Sequence, residues 1–142
     1  MSRFDRSVAD GVVHLIHQED ASQALDRDPG AARGKGKYEA AGGPALIELA
    51  GLLDRFAAHP LAELRRLVAA ATFTVRIGYA DAHRKNLSLL HEPPGVVRLA
   101  PLYDTVPTAL SPNLPRRAAM TINNRGYLAD VTIADIAAEA TR

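Results

Sequence analysis

The chain lacks cysteine altogether. This absence excludes disulfides, thiolate metal sites and thiol nucleophiles, and it suits a reducing compartment. An excess of either charge is also missing, because 17 Lys and Arg side chains nearly balance 16 Asp and Glu side chains. A net charge of +1 gives no electrostatic reason to expect direct binding of nucleic acid or of a membrane surface.

Long apolar runs are missing as well. The most apolar stretch, residues 67–75, is far shorter than the roughly 20 residues that cross a bilayer, and the first residues lack the apolar core of a signal peptide. We therefore expect a cytoplasmic protein. With 142 residues, 47% of them apolar and 23% charged, the chain has the length and composition of one domain or of one lobe of a larger protein.

The middle of the chain carries the strongest helical pattern. Apolar residues recur there at spacings of three and four, which predicts one helix from Pro44 to about His59 and a second helix from Pro60. Before them, residues 12–16 are typical of a short strand, residues 18–25 have helical composition, and residues 26–43, with five glycines, predict a surface loop. The two apolar stripes consist of Leu46, Leu49, Leu53 and Phe56, and of Leu61, Leu64, Val68, Ala71 and Val75.

The second half of the chain alternates short strands with loops. A polar loop over residues 79–86 leads into strands over 87–90 and 96–99, joined by a turn at 93–95, which together predict a hairpin. A long proline-containing loop follows over 101–117, then a short strand over 118–122 and a helix that begins near Thr132. The fold class we predict is α+β with helices dominating.

Three oxygen-bearing side chains form a candidate catalytic constellation. Asp81 and Asn86 have four residues between them on a loop that follows a helix, which is the spacing of kinase catalytic loops. Asp104 lies 18 positions after Asn86, just beyond the return strand of the hairpin, so the hairpin can bring the two together. An Asn and an Asp beside phosphate oxygens suit Mg²⁺. The structural alternative is that all three are ordinary turn-forming residues.

Two further residues of this loop are candidate nucleotide-binding residues. Lys85 carries a positive charge that could attract the nucleotide, although solvation of a loop cation is the common structural alternative. His83 could shield phosphate charge, and packing within the loop is the alternative reading. The basic, glycine-rich residues 30–36 do not fit a phosphate-binding loop, because the segment is one residue too short, ends in glycine and follows no strand.

Around these residues the sequence resembles the C-terminal lobe of the HipA-like serine/threonine kinases, the toxins of bacterial toxin-antitoxin pairs. The resemblance implies Asp81 as catalytic base, Asn86 and Asp104 as magnesium ligands, Mg-ATP as phosphate donor, a protein hydroxyl as acceptor and an antitoxin protein as partner. It rests on separated blocks that agree in order: Arg3-Phe4-Asp5-Arg6, His17-Gln18-Glu19-Asp20, Lys37-Tyr38-Glu39, Gly42-Gly43-Pro44, residues 81–90, and Leu99-Ala100-Pro101-Leu102-Tyr103-Asp104.

The same resemblance indicates what this lobe would need. Phosphoryl transfer requires a cradle for the phosphates, which in the resembled family comes from an N-terminal lobe preceding the position of Arg3. We therefore interpret residues 1–142 as a HipA-like C-terminal kinase lobe truncated at both ends, which needs a separate nucleotide-binding lobe. The surface near residues 3–6 and Asp104 should then expose apolar side chains. The alternative is an inactive remnant or a protein-interaction module of a toxin-antitoxin system.

Overall fold

The computed structural model describes residues 3–27, 46–114 and 116–142. Within these ranges the chain forms seven strands and four α-helices. In chain order they are β1 (Arg6–Ala9), β2 (Val12–Leu15), β3 (His17–Asp20), α1 (Ala21–Ala24), α2 (Leu46–Phe56), α3 (Pro60–Ile77), β4 (Ser88–Glu92), β5 (Val96–Leu99), β6 (Arg117–Ile122), β7 (Arg125–Tyr127) and α4 (Ile133–Glu139).

The strands form three small antiparallel sheets in the described part of the chain. Two are hairpins, β1 with β2 and β6 with β7, and the third has the order β3-β4-β5. The central strand β4 is buried along its first half because it has a neighbour on both sides and helices against it. It pairs with β3 through Ser88 opposite Asp20 and with β5 through Leu89 opposite Leu99.

The core lies between the α2–α3 pair and the three-stranded sheet. Leu49 and Leu53 of α2 and Leu67 of α3 are buried in one cluster with Leu89 and Leu99 of the sheet. Glu63 of α3 connects the two layers, because its carboxylate accepts a hydrogen bond of 2.8 Å from the backbone N–H of Leu99. The loop over residues 79–87 connects the C-terminal end of α3 to the start of β4.

Most predicted elements are confirmed within a few residues: α2, α3, the β4–β5 hairpin, β6 and α4. The prediction that helices dominate is not supported, since 40% of the described residues are helical and 26% lie in strands. The helical interpretation of residues 18–20 is wrong, because these residues pair with β4 as strand β3. Asp20 then begins α1 by accepting hydrogen bonds from two of its backbone N–H groups. The predicted helix start at Pro44 and the glycine-rich residues 30–36 lie outside the described residues.

Two hairpins were not anticipated, although both carry a local signal. Asp10 and Gly11 between β1 and β2 have φ angles of 52° and 77°, and Asn123 and Asn124 between β6 and β7 have φ angles of 47° and 62°. Positive φ at both central positions is what the type I′ two-residue hairpin turn requires, and Asp-Gly is a favoured pair for it. Among the described residues, none of the helices is long and apolar enough to span a membrane.

Candidate functional site

The candidate site begins where α3 ends. Gly78 terminates the helix in the left-handed region with φ 69°, and a Cβ at this position would lie 2.8 Å from the Cβ of Ala109. Only glycine meets both conditions without strain. The backbone N–H of Ala109 donates a 2.9 Å hydrogen bond to the Gly78 carbonyl, so the long loop after β5 packs directly on the helix end.

Thr108 and β6 hold the first residues of the loop. The Thr108 hydroxyl accepts from the backbone N–H of Ala80 at 2.8 Å and is itself buried. The Ala80 carbonyl accepts from the backbone N–H of Ala119 in β6 at 2.8 Å. Asp81 therefore follows a segment whose backbone is fixed on two sides, although Asp81 itself is only half-buried.

A single turn of 3-10 helix, Arg84–Asn86, carries the second candidate residue. The backbone N–H of Asn86 donates to the His83 carbonyl at 2.8 Å, and the Asn86 Oδ1 accepts from the His83 backbone N–H at 3.2 Å. Asn86 is buried. These two hydrogen bonds leave the Asn86 side chain in one orientation, with its amide nitrogen directed away from the turn.

That amide nitrogen contacts Asp104. Asn86 Nδ2 donates to Asp104 Oδ2 at 3.1 Å across 18 residues of chain, so the convergence expected from the hairpin is present. Asp104 is exposed and has φ 52°, a left-handed conformation that is uncommon for residues other than glycine. Such backbone conformations cluster at functional sites, where the surrounding structure holds them.

The pKa of Tyr79 indicates that Asp81 lies near this pair. The pKa of the buried Tyr79 hydroxyl is raised to about 12, first by burial and then by the negative charges of Asp104 and Asp81, whereas a hydrogen bond with Asn86 lowers it. Asp81, Asn86 and Asp104 thus all influence the pKa of the same hydroxyl group. Sequence reasoning assigned Tyr79 no role, since nothing in the pattern of residues 79–86 distinguishes it from an ordinary loop residue.

The three neighbouring residues of the loop differ in exposure. Lys85 is half-buried, so its ammonium group can reach solvent. His83 is buried and lines a small cavity of about 30 Å³ together with Tyr79, Asn86 and Tyr103, which favours the packing alternative for His83. Arg84 is only 1% exposed, so it is not a solvated loop cation.

Tyr103 is a second residue that sequence reasoning left without a role. Its hydroxyl donates to the Lys85 carbonyl at 2.5 Å and lies 2.6 Å from the Ser88 hydroxyl. On its other side, the ring of Phe4 stacks against the Tyr103 ring with the centroids 6.2 Å apart. The segment before β1 therefore contacts the site through Phe4. In the sequence, the Arg3-Phe4-Asp5-Arg6 block was linked to the site only because it belongs to the same set of matching blocks.

The donor set at this point is an amide and a carboxylate. Oxygen donors of this kind suit Mg²⁺, which is held in proteins by one or two carboxylates together with substrate phosphates and water. Within residues 3–27, 46–114 and 116–142 there is no group of three or more His, Cys, Asp or Glu side chains that could hold a metal ion. The Asn86–Asp104 pair thus fits a cation shared with a phosphate ligand and does not form a complete protein cage.

Comparison with known proteins gives the family. The sequence model of the HipA-like C-terminal domain matches residues 1–141. The chain belongs to the HipA-like C-terminal domain family. The family assignment agrees with the mixed helices and sheets of the fold and with the resemblance noted in the sequence.

Two similar proteins extend this comparison. The HipA-like domain is 42% identical over 132 residues to "Putative kinase Y4mE" of Sinorhizobium fredii (strain NBRC 101917 / NGR234), a match that covers 92% of this chain and 30% of that protein. Its fold matches a chain of the complex of HipA, HipB and operator DNA from the Shewanella oneidensis MR-1 toxin-antitoxin system, with a TM-score of 0.82 and 26% identity. This match covers 98% of the HipA-like domain and 34% of the other chain. The domain therefore spans about a third of the length of either relative.

Proposed function

We propose that this HipA-like domain supplies the catalytic-loop half of a serine/threonine protein kinase that transfers phosphate from Mg-ATP to a protein hydroxyl. The observation that carries the proposal is the 3.1 Å contact between Asn86 and Asp104, two residues 18 positions apart. In kinases, the Asn of the catalytic loop and an Asp beyond the following strands hold the metal ions. The hairpin between them brings the two segments close together, and the side-chain hydrogen bond adds direct contact between these two residues.

Asp81 is the catalytic base in this proposal. It lies five positions before Asn86, and its charge acts on the same Tyr79 hydroxyl as that of Asp104. A carboxylate at this place can accept or orient the proton of the acceptor hydroxyl. Its half-burial leaves it accessible to a hydroxyl that approaches from solvent.

Asn86 and Asp104 are the residues that would hold Mg²⁺. The Asn86 Oδ1 accepts from the backbone N–H of His83 at 3.2 Å, and the second lone pair of this carbonyl oxygen would be available to a metal ion. Bound magnesium would neutralise charge on the phosphate oxygens of the nucleotide. The exposure of Asp104 leaves room for phosphate and water beside the two protein ligands.

Lys85 is the second point of contact with the nucleotide. Lys85 is half-buried on the same turn as Asn86, and a lysine in such a position can keep its charged end in solvent. His83 was expected to share this role, and its burial assigns it instead to packing beneath the loop in our proposal.

The remaining parts of the site come from outside this domain in our proposal. A cradle for the phosphates would be supplied by a nucleotide-binding lobe, on the same longer protein or on a separate chain. An antitoxin protein is proposed as partner, because the similar HipA of Shewanella oneidensis is found with HipB. The cysteine-free composition is compatible with work in the reducing cytoplasm.

The test is phosphate transfer from radiolabelled ATP to protein, measured for the domain together with a nucleotide-binding lobe and for the domain alone. Asp81→Ala should lower the rate by about 10² to 10⁴, the usual contribution of a general base. Asp130→Ala, which removes an exposed carboxylate that has no role in the proposal, should leave the rate unchanged. Transfer that survives Asp81→Ala undiminished would exclude Asp81 as the base.

A non-catalytic interaction module is the second candidate function, and one observation favours it. The β1–β2 hairpin exposes three large apolar side chains on one face, Val8 at 68%, Val13 at 55% and Leu15 at 76%. Contiguous exposed apolar side chains mark interaction surfaces. The absence of any phosphate transfer in the presence of a nucleotide-binding lobe, together with binding of a protein partner through this hairpin, would favour the module over the kinase.

A further inference from the structure

We propose that Tyr103 is a positioning residue for the candidate site, one that sets the distance between Asn86 and Asp104. Its hydroxyl connects the backbone of the 3-10 turn to the segment that carries Asp104. This inference rests on the proposed function, since it assigns a role within the same metal site. It is separable from that function, because the position of Asn86 can be measured without any metal.

The direction of the hydrogen bonds follows from proton counting. The Lys85 carbonyl can only accept, so the single hydroxyl proton of Tyr103 is donated to it, over 2.5 Å. The Ser88 hydroxyl, 2.6 Å from the Tyr103 oxygen, must then be the donor in the second contact.

The two cross-loop contacts have the same register. Lys85 immediately precedes Asn86 and Tyr103 immediately precedes Asp104, and each pair is separated by 18 positions. The hydrogen bond from Tyr103 to Lys85 therefore joins the same two chain segments as the Asn86–Asp104 contact, one residue earlier in each segment. Tyr103 is the chain neighbour of Asp104, and Lys85 is the chain neighbour of Asn86. If Tyr103 and Lys85 move apart, Asp104 and Asn86 are therefore displaced as well.

Ser88 connects this arrangement to the sheet. It is a fully buried residue at the start of β4, and its carbonyl accepts from the backbone N–H of Ala100 at 2.8 Å. The chain of donation from Ser88 to Tyr103 to Lys85 thus runs from the central strand to the 3-10 turn. The Phe4 ring stacked against Tyr103 limits movement of its ring on the other side.

Asp104 depends on such support. It is exposed, its φ is positive, and the loop around it lacks regular structure over residues 100–107. Its contact with Asn86 is a single side-chain hydrogen bond at 3.1 Å. Displacement of a catalytic group by about 1 Å can cost two orders of magnitude in rate, so a hydroxyl that fixes the preceding residue has a functional consequence.

The test is Tyr103→Phe, which keeps the ring against Phe4 and removes only the hydroxyl. Solution NMR would follow hydrogen exchange of the Asn86 side-chain amide, and a titration with Mn²⁺ alone would follow paramagnetic broadening of the same signal. Loss of the hydrogen bond to the Lys85 carbonyl, together with the one from Ser88, should accelerate the exchange, and raise the Mn²⁺ midpoint, by roughly three- to tenfold. Tyr127→Phe, which removes a hydroxyl from an exposed residue, should change neither measurement.

Ser88→Ala is the second variant. It removes the donor to Tyr103 but leaves the Tyr103 hydroxyl free to donate to Lys85, so both measurements should move in the same direction by a smaller factor. If Tyr103→Phe does not fold, Ser88→Ala decides the question with the same two measurements. A merely structural role would lower the unfolding midpoint of either variant without moving the Asn86 signal in the folded state.

The outcomes separate this inference from the function it builds on. Folded Tyr103→Phe with Asn86 exchange within twofold of the wild type would overturn the positioning role. Wild-type protein whose Asn86 signal is untouched by Mn²⁺ would instead count against the proposed metal site. Asn86 exchange would still report in that case whether Tyr103 positions the side chain.

Discussion

Replacing Gly78 by alanine should destabilise the junction between α3 and the site loop, for two separable reasons. The first is the backbone, because φ 69° lies in the left-handed region, which costs a residue with a Cβ about 1–2 kcal/mol. The second is space, because the new Cβ would lie 2.8 Å from the Cβ of Ala109. Relieving such a contact in a packed region costs about 1–3 kcal/mol. The expected total is about 2–5 kcal/mol.

A double-mutant cycle separates the two contributions. Ala109→Gly removes the atom that the new Cβ meets and leaves the Ala109 Cα 4.0 Å away, which is an ordinary contact. Gly78→Ala should therefore cost only the backbone part, about 1–2 kcal/mol, in the Ala109→Gly background. The coupling between the two positions should be about 1–3 kcal/mol.

The measurement is urea unfolding followed by circular dichroism, with equal denaturant slopes required before free energies of unfolding are compared. An equal cost of Gly78→Ala in both backgrounds would refute the close approach of Gly78 to Ala109. A cost below about 0.5 kcal/mol in both, the range of neutral surface changes, would refute the left-handed backbone as well.

Three further outcomes are expected. Leu53→Ala in the core should lower the free energy of unfolding in urea by about 2–5 kcal/mol. Leu110→Ala at an exposed position should change it by no more than about 0.5 kcal/mol. Equal changes for the two variants would contradict the placement of α2. Hydrogen bonds hold the pKa of Asp135 below its ordinary 3.8, so its stabilisation is present above that pH and lost as pH falls below it. Asp135→Asn should weaken the fall in the free energy of unfolding between neutral and acidic pH. An unaltered pH dependence would show that Asp135 does not cause this fall. Val8→Lys together with Val13→Lys should reduce self-association and the binding of an apolar dye, because the two charges interrupt the exposed apolar face of the β1–β2 hairpin. A wild-type chain that is monomeric at high concentration and binds no dye would contradict this interaction surface.

Prediction from sequence succeeded for elements whose partners are close in the chain. The apolar spacing of three and four in α3 reflects one helix face, and the β4–β5 hairpin has its turn at Gly95, between its own two strands. Strand β3 was misread as helical because its partner β4 is remote: Glu19 meets His91 across 72 residues. Composition over four polar residues cannot show a pairing that depends on a strand so far away.

The order of residues along the chain was enough to nominate Asp81, Asn86 and Asp104, since the spacing and the intervening hairpin are properties of the sequence. Only the folded chain decided that Asn86 contacts Asp104, that Arg84 is buried, and that the Tyr103 hydroxyl reaches the 3-10 turn. The physical reason is that contact between distant residues depends on how helices and sheet pack, and on backbone angles such as the positive φ of Asp104. Neither this packing nor the positive φ of Asp104 is indicated by the short stretch of residues around Asp104.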